Sequence, residues 1–189
     1  ESVKFMRMKQ GFAVSAILAA VVGTAVAEAP RVKRAALAAM EKAFDMKLLS
    51  AAAQEPFDLL GNTRGIYLGG YGAVFTAEIG LVYSPTINPF RLTIPKPEMA
   101  AVHLRKLRQL PILKENMRQT LLDCSASLDS VPPGEQIVVS VILFNRAWED
   151  TTGLPSQVMM QAERRKLLDV QTGRTARANL DSIVKVQEL

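Results

Sequence analysis

Cysteine and histidine are nearly missing from this chain: Cys124 and His103 stand alone among 189 residues. A lone cysteine closes no internal disulfide, so Cys124 is expected as a buried small hydrophobe or a free thiol. No metal site is expected either, because zinc takes three or four Cys, His or carboxylate ligands in a recognisable arrangement. His103 reads as a solvent-facing or locally hydrogen-bonded helix residue. As a general base it would lack a motif that supplies its nucleophile. An excess of one charge is also lacking. Residues 28–189 hold 20 Lys and Arg against 17 Asp and Glu, a net of +3. That balance does not imply a nucleic-acid partner. Internal repeats and low-complexity tracts are absent as well.

A cofactor motif is the next absence. The stretch "RGIYLGGYGAVF", residues 64–75, holds four glycines. It has no Lys-Ser/Thr of a phosphate loop, and it lacks the third spaced glycine and the following helix of a dinucleotide site. Glycine between two β-prone runs points instead to a tight hairpin. No cofactor is expected.

What is present begins at the N terminus. Lys4, Arg7 and Lys9 precede an uncharged run from Gly11 to Ala27, which ends in Ala25-Val26-Ala27 before Glu28. A basic start, an apolar run and a small-residue site read as an export signal. Cleavage there would leave 162 residues, enough for a core. The competing reading is a retained transmembrane anchor, since 17 uncharged residues approach the lower limit for a bilayer span. Retention would leave the basic residues in the cytoplasm and residues 28–189 in the periplasm, anchored at the inner membrane. The expected division is a signal or anchor over 1–27, a helical segment over 28–54, and an α+β domain over 55–189 packed with it.

Residues 31–53 are rich in helix formers, with Val32, Ala36, Met40, Phe44 and Leu48 recurring near one face. Ile66–Leu68 and Val74–Val82 read as strands. In the second, Phe75, Ala77, Ile79 and Leu81 share one parity, while Thr76 and Glu78 take the other. Four prolines between Tyr83 and Pro97 predict a loop or edge segment. A helical region then starts at Glu98, with a break and a new helix at Pro111. Leu113, Met117 and Leu121 are expected to face the core, with Cys124 near them. "EQIVVSVILFN" reads as a central strand, "QVMMQAE" as another, and residues 175–188 as a final helix. The expected fold class is α+β: an antiparallel sheet of about four strands with flanking helices, behind the N-terminal signal or anchor helix.

Chemical candidates are few. Ser182 and Lys185 satisfy Ser-x-x-Lys, without the companion elements of acyl-transfer enzymes, and Ser182 reads as an exposed helix residue. Glu149 and Asp150 read as a solvated pair ending a strand. The densest positive charge is Arg105, Lys106, Arg108, Lys114 and Arg118, accompanied only by Glu115. With Tyr71 at the hairpin tip, these residues form the candidate partner surface, for an acidic partner or an acidic lipid surface. Export makes nucleic acid the weaker option, and aromatic interleaving for single strands is absent.

The runs "TRGIYLGGYGAVFTAEIGLV", "PPGEQIVVSVILF" and "AWEDTTGLPSQVMMQ" carry a resemblance. Over roughly residues 55–173 the chain resembles exported bacterial proteins of acidobacterial type. The resemblance implies an exported α+β domain and supplies no catalytic residue. The expected function is that of a non-catalytic envelope protein, an accessory or interaction subunit whose partners are other envelope or membrane proteins. The alternative is a small periplasmic hydrolase whose site assembles only on folding.

Overall fold

The computed structural model describes residues 32–51 and 55–189, so the signal or anchor expected over 1–27 lies outside the described residues. Six strands form one mixed sheet: β1 (Asp58–Leu59), β2 (Arg64–Leu68), β3 (Gly72–Gly80), β4 (Gln136–Leu143), β5 (Gln157–Glu163) and β6 (Lys185–Glu188). β1 and β2 share one edge of β3 and run antiparallel to it. β4 lies along the other edge of β3 and runs parallel, and β5 and β6 follow antiparallel. The α+β class stands, but the sheet is mixed with six strands, not antiparallel with about four. Parallel neighbours need a long crossover. Here it is the proline-rich loop and the helix α2 (Lys96–Ser127).

One face of the sheet packs against helices. Ala73, Phe75, Ala77 and Ile79 of β3, with Ile137, Val139, Val141 and Leu143 of β4, are buried beneath α1 (Arg34–Ser50) and α2. Phe44 and Leu48 of α1 join them, as do Leu113, Met117, Leu121 and Cys124 of α2. Each such large side chain contributes about 1.5–3 kcal/mol of transfer free energy. Burial also pushes the Cys124 thiol up to about 12, with Asp123 adding to the rise and Lys47 opposing it.

Two expected boundaries move. α2 runs unbroken through Pro111, which is exposed on the outer side of the helix. Leu107, whose carbonyl loses the N–H that Pro111 lacks, is exposed on the same side, where solvent is able to serve that carbonyl and the helix need not restart. The expected final helix is instead a 3-10 turn at Arg177–Asn179, a single turn α4 (Leu180–Ile183), and β6. Val184 is buried, and Val186 lies opposite Met160 on the otherwise free edge of β5. Ladder pairing there overrides a helix-prone local composition. Between β5 and this terminal part sits the short α3 (Arg164–Gln171).

The glycine-rich stretch is the β2–β3 hairpin. Gly70 has φ +79, and the Tyr71 N–H donates to the Leu68 carbonyl at 3.0 Å. Gly72 has a second role. Its φ is +140, and an added Cβ would sit 1.9 Å from the Gln136 carbonyl oxygen of β4. The glycine lets the parallel strand begin directly against the hairpin.

α1 also closes the outer edge of β2. The Gly65 N–H donates to Glu41 Oε1 at 2.6 Å, and Arg34 Nη1 donates to the Gly65 carbonyl at 2.9 Å. Just before β2, Asp45 Oδ1 accepts the Thr63 N–H at 2.9 Å. Burial would raise the Glu41 carboxyl, but the Arg34 hydrogen bond, the Gly65 N–H and the nearby arginine charges outweigh it and hold the group below its usual range.

Candidate functional site

In a parallel βαβ unit, polar side chains gather most readily beyond the carboxyl ends of the strands. Here that region holds Ser84 after β3, Asn145, Arg146 and Glu149 after β4, Asp58 of β1, and Lys106 from α2. Lys106 and Glu149 form an ion pair in which each side chain is 2% exposed. Lys106 Nζ also donates to Asn145 Oδ1 at 2.8 Å, and Glu149 Oε2 accepts the Arg146 N–H at 3.0 Å. Glu149 Oε1 and Ser84 Oγ are buried without a partner among the described residues. Both residues line one small cavity with Asp58, Lys106 and Arg146, of about 10 Å3. That is the room of about one water.

This geometry corrects the expectation for Glu149 and Asp150. Asp150 is exposed, and its carboxyl is held below its usual range, chiefly by hydrogen bonding from the Thr152 N–H. Glu149 turns inward as the partner of a buried lysine. His103 is hydrogen-bonded across the fold and not locally: Nδ1 lies 2.9 Å from the carbonyl oxygen of Asp150, in the loop after β4. Ser182 is exposed and donates to the Asn179 carbonyl at 2.7 Å. Among the described residues, no three His, Cys, Asp or Glu side chains gather as a metal site.

The candidate partner residues are dispersed. Arg105 pairs with Glu55, Lys114 with Glu188 at 2.6 Å, and Arg118 with Asp181 at 2.9 Å. Lys106 is the buried cation described above. Arg108 is exposed and forms no ion pair among the described residues. Their charge is therefore mostly balanced within the fold. Proximity in sequence concealed this, because acids distant in the chain supply the counter-charges.

Tyr71 belongs to a different surface. The sheet face opposite the helices carries Ile66 and Leu68 of β2, Ile142 of β4 and Met159 of β5, and its three exposed aliphatic side chains are 44–50% accessible. The Tyr71 hydroxyl donates to Gln161 Oε1 at 3.4 Å, and Gln161 is the β5 partner of Val138. The ring therefore spans β4, which accounts for the burial of Val138 on the uncovered side. Beyond it, Leu60, Arg64, Thr76, Glu78 and Ile142 border a shallow depression of about 230 Å3. The alternation in β3 announced a wet face; the aliphatic residues brought to it by β2 and β4 were not legible as one surface.

Comparison with protein-family models, curated proteins and solved structures finds no match to this chain. Its surfaces are therefore the guide to its function.

Proposed function

We propose that this chain is a non-catalytic interaction protein of the bacterial envelope, an accessory subunit of a membrane-associated assembly. One observation carries the reading: the helices occupy one side of the sheet, and the other side presents half-exposed Ile66 and Leu68 beside Tyr71, with half-exposed Ile142 farther along β4 beyond Thr76 and Ser140. Clustered apolar surface of this kind marks contact with another macromolecule more often than isolated exposed side chains do. A tyrosine crossing such a face supplies an amphipathic anchor. The envelope location rests on the basic and apolar N-terminal sequence, and the partners are other envelope proteins.

A second reading has its own observation. Ser84, Lys106 and Glu149 meet at the carboxyl ends of a parallel strand pair, where a hydrolytic site could assemble. The cavity's room for one water favours a structural role over substrate binding.

A photocrosslinking residue placed at Ile66 or Ile142 in intact cells tests the choice. Discrete adducts with envelope proteins are expected from both positions, and none from the exposed position Ala126 on α2. Failure of both sheet positions to crosslink would overturn the interaction reading. Ester or peptide hydrolysis by the purified chain, lost in Ser84→Ala, would establish the second.

A further inference from the structure

The proline-rich segment between β3 and α2 ends in an unusual tip. Phe90 is 100% exposed and Leu92 is 75% exposed. Yet the backbone beneath them is fixed. Asn88 and Arg91 exchange N–H···O=C bonds at 3.0 and 2.9 Å, and Asn88 Oδ1 accepts the Phe90 N–H at 2.9 Å. Arg91 pairs with Glu98 at the start of α2, and Ile94 is buried. An ordered turn thus holds a phenyl ring in water with nothing among the described residues covering it.

We propose that this turn and the adjoining outer face of α2 insert into an anionic lipid surface. Between Tyr83 and Pro97 no acid occurs, and the charged residues are Lys96 and Arg91, the latter neutralised by Glu98 just beyond. On the exposed side of α2 from Lys96 to Ile112, Leu104 is 55% accessible and the charged residues are Lys96 and Arg108. Apolar side chains with Lys96 and Arg108, the acid Glu98 being occupied by Arg91, match the two attractions of a lipid interface: hydrocarbon for the ring and aliphatic groups, anionic headgroups for the cations. The convex tip also suits a fluid surface, which yields around it, whereas a protein partner would need a matching pocket. Because the turn is already ordered, insertion costs little further backbone entropy. This contact is separate from the open sheet face, and either can fail without the other.

The test uses the full chain with Phe90→Trp in a Trp148→Phe background; the buried Trp148 indole N–H meets no acceptor among the described residues, so phenylalanine suits that place. A second variant carries Ile142→Trp in the same background. Each is mixed with phosphatidylglycerol–phosphatidylethanolamine vesicles whose acyl chains are brominated. Tryptophan at position 90 should shift to the blue and be quenched at least about twofold. Quenching should fall when phosphatidylcholine replaces phosphatidylglycerol. Because local quenching is the readout, binding through residues 1–31 cannot imitate it. Absent quenching at position 90 would overturn the proposal, as would quenching confined to position 142. So would a blue shift at position 90 that requires added envelope protein and not lipid, since that outcome assigns the tip to a protein pocket.

Discussion

Lys106 shows how a residue's neighbours in sequence can mislead about its neighbours in space. It sits within the densest basic run, but helical rotation turns it toward the loop after β4, where Asn145 and Glu149 receive it. A buried pair of this kind gains little over an apolar pair of equal volume, whereas removing one partner strands the other charge. Lys106→Met and Glu149→Leu should each lower stability by about 3–5 kcal/mol, and the double variant should recover most of that loss. Urea unfolding of the four proteins checks this; losses that simply add would contradict the pairing. Glu149 was misread as solvated because adjacent acids ordinarily are. Cys124 was legible, since its spacing from Leu113, Met117 and Leu121 placed it on the core side of α2. Gly72 was legible only in part: the turn could be read, but not the Gln136 carbonyl against which its missing side chain makes room.

At the level of elements, local pattern and partner choice separate cleanly. The parity of Phe75, Ala77 and Ile79 marked the buried face of β3, and "QVMMQAE" coincides with β5. Neither pattern by itself carries the direction of a neighbouring strand; the sign of parallel β3–β4 pairing was the helical region read between the two strands, the crossover such a pair needs. Residues 185–188 likewise became a strand because β5 offered an edge. At the opposite edge, α1 substitutes for a strand through Arg34, Glu41 and Asp45, which limits further pairing of β2. That arrangement makes stability pH-dependent in a stated direction. Glu41 titrates below its ordinary 4.5 in the folded chain. Its contribution is therefore full above the unfolded value and is lost as pH falls through the lower folded value. Glu41→Gln should flatten that part of the acid limb when stability is followed by urea unfolding between about pH 6 and 3. An unchanged acid limb would show that the carboxylate's charge does not secure the strand edge.

For the whole molecule, the layers set up an imbalance: the helices cover one side of the sheet, while the other side, the Phe90 turn and the outer side of α2 leave apolar groups in water. Among the described residues, no helix is long and apolar enough to cross a membrane. Within this sequence, the candidate span is the apolar run Gly11–Ala27, whose alanines and glycines bury little area. Such a weak span gains from a neighbouring helix, and Gly23 and Ala27 provide one small pair for close approach. Retention of the run thus favours a subunit held within a larger membrane assembly, and cleavage favours a protein held at the membrane by its surfaces alone. Cleavage after Ala27 is the expected outcome. Intact-mass measurement on protein taken from native membranes should then find a species beginning at Glu28 that a salt wash releases, which would leave the sheet face and the Phe90 turn to account for attachment. A detergent-dependent species containing residues 1–27, bringing other envelope chains with it, would overturn cleavage and establish the anchor.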